Sequence, residues 1–435
     1  MNFLTADVKK LYFKYLSASI TSALVVSVYA FVDTIAVGQS AGPMGTAAMA
    51  VITPLYGLFG FFSMLCGIGG AVQLSRAKGE GSEEKGNAYF TGSVVLMAAV
   101  IAAVWLILAL FHKPIFRVLG ADAVLMPHVM SYAKWMLICF PAFLLPSFIG
   151  AFIRNDGAPG LAMVAVIIGG CVNIFGDWFF VFPMGMGMEG AAIATVSGML
   201  VQLSVMSTHF FGKRCHLKLA KPWDWQRCIQ NILKVGFASG IIELGTVVIA
   251  VLMNNQIMQY GSTTELAIYG VLVTILQLFA AMFSGVGQAI QPLVSSNYGA
   301  GKHERNRQFL RLSLLTVGLM GVLFTAVGER FPVEITKLFI NATPEVVQAA
   351  PTIFRIFFLM FLPLGFSVLA IYYLQSTMAH QLSLFIAVMR GIVVSGVLVL
   401  VLPLVFQLNG VWAAMPAAEL LVAVFALWSI KKHPA

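Results

Sequence analysis

Twelve long apolar segments, separated by shorter polar stretches, constrain this chain more than any other feature of its sequence. A helix needs about 20 predominantly apolar residues to cross the hydrocarbon layer of a membrane. Strands of membrane barrels are shorter and alternate in polarity, whereas these segments are long and continuous. The sequence therefore predicts an all-α polytopic membrane protein with twelve transmembrane helices.

The predicted spans form two sets of six. The first set is Tyr15–Val37, Thr46–Leu74, Asn87–Phe111, Ser131–Ile153, Leu161–Phe182 and Gly190–Phe211. The second set is Ile232–Tyr260, Thr264–Val294, Phe309–Val327, Val347–Leu374, Leu382–Phe406 and Val411–Ile430.

Composition excludes a soluble domain, because 60% of the residues are hydrophobic and only 10% are charged, against roughly 45–50% and about 25% in soluble proteins.

Basic residues predict the orientation of the spans. An even number of spans places both termini on one side, where nineteen Lys and Arg residues lie, against only Lys113, Arg117, Arg330 and Lys337 on the other. Positive residues accumulate in cytoplasmic loops. We therefore expect both termini on the cytoplasmic side of the membrane. The net charge of +9 is explained as a topology signal, and no nucleic-acid partner is expected.

A glycine-containing motif recurs at half the chain length. Gly67–Gln73 reads GIGGAVQ and Gly285–Gln291 reads GVGQAIQ, 218 residues further on. Six spans per copy is an even number, so both copies insert the same way up, related by an axis along the membrane normal. We predict an N-terminal lobe (1–211), a cytoplasmic linker (212–231) and a C-terminal lobe (232–435), with a cleft between the lobes. The motif glycines are expected at close helix contacts.

Four acidic residues lie clearly within the predicted spans: Asp33, Asp177, Glu243 and Glu419. A carboxylate in the hydrocarbon region is costly, so each one is a functional-site hypothesis by default. Glu243 has three possible roles: pairing with Arg355, pairing with Arg390, or contact with a cationic substrate. Glu419, in the last span, is expected to be a packing or interfacial acid.

Asp33 and Asp177 are the strongest candidates for a coupling site. Asn173 and Asp177 are four residues apart and therefore share one face of a helix. The Thr195 hydroxyl of the next span is a further oxygen ligand, and Asn155 is a weaker candidate neighbour. These oxygens could hold a sodium ion, for which Asp33, Asn173, Asp177 and Thr195 would be the metal ligands, or one acid could bind a proton. The alternative is a set of structural hydrogen bonds between helices.

The second half of the chain lacks this acid pair. At an offset near 221–222 residues, Asp33 corresponds to Asn254 or Asn255, and Asp177 falls in the apolar run Val397–Leu402. We therefore expect ion coupling in the first half only.

Two sequence stretches resemble multidrug and toxic compound extrusion (MATE) transporters. Phe31–Gly38, FVDTIAVG, is similar to their first-helix signature, and Gln291–Gly301, QPLVSSNYGAG, is similar to the stretch after their eighth helix. The resemblance covers the whole chain. It implies cation-coupled export through a central cleft that opens alternately to each side. It also implies that the residues just proposed as sodium ligands are the cation-site positions of many bacterial and archaeal members, and so a location in the cytoplasmic (inner) membrane of a bacterium or archaeon.

This chain departs from the family pattern at two places. Many members bend the first helix at a proline near the acid, but Tyr15–Val37 contains no proline. Glu243 resembles a carboxylate of one branch that also carries an acid in the tenth span, whereas Val347–Leu374 contains none. The resemblance therefore supports neither a proline-dependent switch nor a complete acid pair in the second half.

The cleft-facing residues are predicted from polarity and polarisability, because 22 Met and 34 Phe suit a pocket that accepts varied ligands. The substrate candidates are Tyr29, Glu243, Met253, Asn254, Asn255, Met258, Gln277 and Met282. Ordinary core packing or lipid contact is the alternative for each of them. We expect small organic, often cationic, substrates, lipid neighbours and a monomeric protein.

The predicted function is a sodium- or proton-driven antiporter that exports organic solutes, with no cofactor other than the coupling ion. A lipid-linked saccharide flippase of the same superfold is the alternative, and it would need a basic cleft built from Lys134, Arg355 and Arg390. An intramembrane enzyme is not expected, because all seven histidines lie at span ends or in loops. The five cysteines show neither metal-ligand spacing nor a disulfide framework.

Overall fold

The computed structural model describes residues 3–213, 215–339 and 344–432, and within these ranges it contains helices and no β-strand. The helices are α1 (Val8–Gly79), α2 (Glu83–Val118), α3 (Met126–Ile138), α4 (Pro141–Asn155), α5 (Pro159–Gly176), α6 (Gly187–Phe211), α7 (Trp225–Tyr260), α8 (Thr263–Gly299), α9 (His303–Arg330), α10 (Pro332–Phe339), α11 (Pro344–Phe358), α12 (Phe361–Ser376), α13 (His380–Val388) and α14 (Val394–Lys432). Five-residue π-helical turns, Asp177–Val181 and Met389–Val393, follow α5 and α13.

These helices account for the predicted spans. In the described part of the chain, ten helical segments are long and apolar enough to cross a membrane, and α3 with α4 makes an eleventh that is bent by 52°. The longest segment, His380–Lys432, is broken at Gln407 (φ 51°, ψ −133°), between predicted spans eleven and twelve. The prediction of an all-helical integral membrane protein is confirmed.

Two of the bends lie where the sequence supplies a reason. Helix α1 contains the first two spans and is broken at Gly42 (φ 58°, ψ −149°), a conformation that glycine adopts readily. Before Gly42 the backbone is helical throughout the predicted first span, including Asp33, which agrees with the absence of proline there. Pro141 opens α4 in its first turn, where a missing backbone N–H costs nothing.

The chain divides into two compact units: residues 17–240 form the first, and residues 3–16 with 241–432 the described part of the second. In the second unit, Arg305 holds the N-terminal segment by donating hydrogen bonds from Nη2 to the carbonyl oxygens of Phe3 (3.1 Å) and Ala6 (2.7 Å). Tyr12 adds a hydroxyl bond to Thr316 of 2.7 Å. The lobe boundaries proposed from the sequence stay predictions.

The repeated glycines are packing positions in each unit. A Cβ atom at Gly69 would collide with the backbone carbonyl of Ile232 in the first unit, and one at Gly287 would collide with the ring of Tyr372 in the second. Both glycines let two helices approach more closely than any side chain would permit. The prediction of close helix contacts is confirmed at Gly69 and Gly287.

Candidate cation site

Helices α1 and α6 bring Asp33 and Thr195 into direct contact in the first unit. The Thr195 hydroxyl donates a hydrogen bond to Oδ1 of Asp33 over 3.2 Å, and both side chains are buried. The two residues are 162 positions apart in the sequence, so this contact depends entirely on the packing of the helices.

Asn173 of α5 joins them through its amide group. Its Nδ2 donates to Oγ1 of Thr195 over 3.3 Å. The contact depends on small residues where α5 packs along α6: a Cβ at Gly198 would lie 2.7 Å from the carbonyl oxygen of Gly169 and 2.9 Å from Cβ of Asn173. Because glycine leaves this space open, the amide of α5 can reach the hydroxyl of α6.

Asp177 opens the π-helical turn that follows α5, and its side chain is fully buried. Neither carboxylate oxygen of Asp177 has a hydrogen-bond partner among the described residues, and the same is true of Oδ1 of Asn173. The Asp177 carboxylate lies within electrostatic range of Asp33. Isolated π-helical turns occur frequently at functional sites.

The structure therefore brings together all four predicted ligands: Asp33, Asn173, Asp177 and Thr195, hereafter the Asp33 cluster. It does not bring Asn155 to them. Oδ1 of Asn155 accepts a hydrogen bond of 2.6 Å from Ser75, and its Nδ2 donates to the carbonyl oxygen of Ala151 over 2.8 Å. Its amide is thus occupied elsewhere in the first unit.

Two tyrosines extend the Asp33 cluster, and sequence reasoning missed them. The Tyr132 hydroxyl donates to Oγ1 of Thr195 over 3.4 Å, and it shares a 2.7 Å hydrogen bond with the Tyr56 hydroxyl. A phenol within a predicted span was the available signal, since a buried tyrosine hydroxyl usually finds a partner.

The substrate candidates have different environments. Tyr29 packs beside Gly170 and lines a small pocket together with Asn173 and Thr195. In the second unit, Met253 is completely buried, in agreement with the packing alternative that the sequence left open. Half-buried side chains are Glu243 and Met282, and exposed ones are Asn254, Asn255, Met258 and Gln277.

The second unit contains a buried ion pair of a different kind. Nε of Arg390 lies 2.8 Å from Oε1 of Glu419, and the side chains are 14% and 1% exposed. Arg390 belongs to the π-helical turn after α13, and Glu419 to α14. The suggested pairing of Arg390 with Glu243 is therefore wrong, because the arginine contacts Glu419.

A further acid, Asp156, lies between α4 and α5, outside the membrane-spanning segments. Its carboxylate accepts hydrogen bonds from Nζ of Lys78 (2.8 Å) and Nε2 of His209 (2.9 Å). Burial opposes the negative charge, but these hydrogen bonds and the lysine charge outweigh it and hold the pKa of Asp156 below its ordinary value.

One family model matches both halves of the chain. The model of the family named MatE matches residues 18–179 and again residues 239–401. This chain belongs to the MatE family. The two matched ranges place one copy of the family model in each half, which agrees with the half-chain repeat, and the resemblance noted in the sequence is confirmed.

Among curated MatE relatives, the multidrug export protein MepA of Staphylococcus aureus (strain MSSA476) is 22% identical over 385 residues, which cover 88% of this chain and 84% of MepA. Solved structures share the MatE fold. An outward-facing multidrug resistance MATE family transporter of the MOP superfamily has a TM-score of 0.92 at 19% identity, covering 99% of this chain and 97% of that one. A MOP superfamily transporter from Pyrococcus furiosus, described as having a binding pocket of reverse polarity, has a TM-score of 0.91 at 20% identity with the same coverage.

Proposed function

We propose that this MatE-family protein is a secondary transporter that exports small organic, often cationic, solutes across the cell membrane. Inward movement of sodium ions or protons through the Asp33 cluster drives the export by alternating access. The substrate class rests on the multidrug export function that gives the MepA relative its name. The coupling role rests on the chemistry of the cluster itself.

Three buried oxygens without donors carry the proposal. They are both carboxylate oxygens of Asp177 and Oδ1 of Asn173, and no described residue donates a hydrogen bond to any of them. Leaving a buried acceptor unsatisfied costs about 1–3 kcal/mol, and more when the group is charged. A structural set of helix–helix hydrogen bonds would satisfy these atoms, whereas a site that receives a cation leaves them available.

The Asp33 cluster offers only oxygen ligands to an incoming ion. Asp33, Asp177, Asn173 and Thr195 each present at least one oxygen, the ligand type that hard cations require. A proton bound to one carboxylate would also compensate for the buried negative charge. It neutralises that carboxylate and turns a hydrogen-bond acceptor into a donor. Either event removes the repulsion between the carboxylates of Asp33 and Asp177, and release of the ion restores it.

Thr195 orients the cluster. Its hydroxyl donates to Asp33 and accepts from Asn173 and from Tyr132, so one oxygen links three helices and a phenol. Occupancy of the ion site is thereby linked to the relative positions of α1, α5 and α6. Alternating access needs such a link. An ion shifts the equilibrium between two conformations of the protein only if it binds one of them more tightly than the other.

The flippase alternative is not favoured. It needs a basic cleft, and two of its three proposed basic residues have acidic partners. Lys134 lies 2.6 Å from Glu189 and Arg390 lies 2.8 Å from Glu419. Each of these pairs is locally neutral and offers little attraction to a lipid-linked phosphate.

The test is transport of a fluorescent organic cation in proteoliposomes with an imposed sodium or pH gradient. Asp33→Asn and Asp177→Asn should each reduce gradient-driven transport to the rate seen without a gradient. Glu304→Gln, at an exposed acid in the first turn of α9, is the control and should transport like the parent protein. Gradient-driven transport that persists in both Asp variants would overturn the coupling site, and the effective gradient identifies the ion.

A further inference from the structure

A second group of metal-binding side chains lies in the first unit, away from the Asp33 cluster. One carboxylate oxygen of Asp156, a ring nitrogen of His209 and Sγ of Cys215 lie within 4.8 Å of one another. Asp156 follows α4 directly, His209 lies in the last turn of α6, and Cys215 lies in the segment between α6 and α7. Three separate parts of the chain thus converge on one point.

We propose that Asp156, His209 and Cys215 bind a zinc ion, or a divalent transition metal of similar preference, with His216 as the fourth ligand. Thiolate, imidazole and carboxylate are the ligand types that zinc binds, almost always in a tetrahedral arrangement. The sulfur and nitrogen ligands disfavour calcium and magnesium, which take oxygen ligands. The composition of the cluster therefore specifies the class of metal.

Two distances from Asp156 lie near the spacing of zinc ligands, and Sγ of Cys215, which lies within 4.8 Å of the other two ligand atoms, has to close the remaining gap. Zinc bonds of about 2.0–2.3 Å place tetrahedral ligands about 3.3–3.8 Å apart. Nε2 of His209 is 2.9 Å from Oδ2 of Asp156, so the ring must retreat slightly to admit the ion. Nδ1 of His216 is 3.7 Å from Oδ1 of Asp156, already at that spacing, and its side chain is 61% exposed and has room to turn.

Two existing hydrogen bonds orient the carboxylate while leaving a position for the metal. Nζ of Lys78 donates to Oδ1 of Asp156 over 2.8 Å, and the backbone N–H of His216 donates to Oδ2 over 2.8 Å. Metal ligands are commonly held by outer partners of this kind. The metal replaces the donation from Nε2 of His209 to the carboxylate and the weak donation from the Cys215 thiol to Leu217. Because Nε2 must be unprotonated and the thiol must lose its proton, metal binding is coupled to proton release.

A bound metal would connect the α4–α5 junction to the end of α6 and to the segment that leads into α7. Because the unfolded chain does not hold these ligands together, metal binding should stabilise the folded protein. The inference goes beyond the transport function and does not depend on the Asp33 cluster.

The experiment uses the purified full-length protein in detergent with zinc or cobalt ions. Equilibrium dialysis should find one zinc ion per chain, and Cys215→Ser should weaken binding by at least the roughly 10- to 100-fold that loss of a mere outer partner causes. With cobalt, a thiolate-to-metal charge-transfer band should appear in the parent protein and be absent in Cys215→Ser. Cys171→Ser is the matched control, because Cys171 is an exposed free cysteine on α5.

Cys215→Ser is a mild substitution, since the thiol's one recorded hydrogen bond is a weak one of 3.7 Å to the carbonyl oxygen of Leu217. Zinc should raise the Tm of the parent protein and of Cys171→Ser, but not that of Cys215→Ser. The absence of stoichiometric zinc binding, or equal binding by Cys215→Ser, would overturn the proposal and reduce the cluster to a set of hydrogen bonds. Neither result bears on gradient-driven transport, which is assayed separately.

Discussion

The two units of this MatE-family protein each contain a buried acid, and they differ in whether that acid has a partner. In the first unit, Asp177 opens a π-helical turn with neither carboxylate oxygen hydrogen-bonded by any described residue. In the second unit, the π-helical turn after α13 carries Arg390, which meets Glu419 at 2.8 Å. Among the residues that the structure describes, Asp177 has no basic partner, whereas Glu419 has Arg390.

The difference is the one expected between an ion-binding site, as proposed for the Asp33 cluster, and a structural contact. A buried ion pair gains its stability internally, because each charge compensates for the lost hydration of the other. A buried carboxylate without donors has no such compensation and is stabilised by any cation that reaches it.

The largest effect should follow from Asp177→Asn. We expect gradient-driven transport to fall to background while the folded protein is as stable as the parent or more so, because the substitution removes a buried charge that has no hydrogen-bond partner among the described residues. Transport in proteoliposomes and the Tm in detergent provide the two measurements.

A large drop in the Tm of Asp177→Asn would contradict the comparison, because it would show that the carboxylate has a stabilising partner. Asp33→Asn is the companion variant. It should lose coupling too but gain less stability, since Asp33 already accepts a hydrogen bond from Thr195.

Neutralising the buried acid of the second unit should have the reverse effect: stability should fall and ion coupling should remain. Glu419→Gln leaves the charge of Arg390 buried without its partner, which should lower the free energy of unfolding by about 3–5 kcal/mol. The protein that remains folded should keep its dependence on the ion gradient. Chemical unfolding in detergent measures the first effect and the proteoliposome assay measures the second.

The double variant Arg390→Met with Glu419→Gln sharpens this test. Removal of both charges should recover most of the lost stability, because a neutral pair avoids the desolvation of an isolated ion. If the double variant were no more stable than Glu419→Gln alone, the ion pair would not be the source of the effect.

Close helix packing beneath the Asp33 cluster gives a smaller effect. Gly198→Ala places a Cβ 2.7 Å from the carbonyl oxygen of Gly169, and such overpacking costs typically about 1–3 kcal/mol. Because α5 and α6 must separate, Asn173 should move away from Thr195 and transport should weaken. Gly160→Ala is a suitable control, since a Cβ there would meet no atom within 4 Å.

The smallest effect should come from Thr195→Val, which keeps the shape of the side chain and removes its hydroxyl. Asp33 would lose a donor and Asn173 an acceptor, so a loss of about 1 kcal/mol in stability and a partial loss of transport are expected. Thr195→Ser retains the hydroxyl and should behave nearly as the parent. Equal transport by the valine and serine variants would remove Thr195 from the coupling site.

Local sequence patterns were enough to predict much of the fold. Apolar segments of span length predicted the helices, and the repeat of Gly67–Gln73 at Gly285–Gln291 predicted two related halves. Segment ends were less certain, because helices extend beyond the apolar core: α1 begins at Val8 rather than Tyr15, and α7 at Trp225 rather than Ile232. Hydropathy detects only the part of a helix that lies in lipid.

The candidate site was predicted only in part. An acid within a span and the four-residue spacing of Asn173 and Asp177 are local features, so the sequence could identify them. The hydroxyls of Tyr56 and Tyr132 were missed, since phenols also occur in membrane helices for packing alone. Of the three roles left open for Glu243, pairing with Arg390 was wrong, because hydropathy does not specify which faces of two helices meet.

By itself, the sequence determined that this protein is a membrane-spanning helical repeat with the pair Asp33 and Asp177 in the spans of its first half, because chain length, apolarity and charge act locally. Only the tertiary structure decided which polar groups have partners. The convergence of Asp156, His209 and Cys215 shows the same limit, because their spacing along the chain resembles no metal motif. Contacts between distant residues depend on how closely whole helices pack, and that depends on the sum of many small side-chain fits.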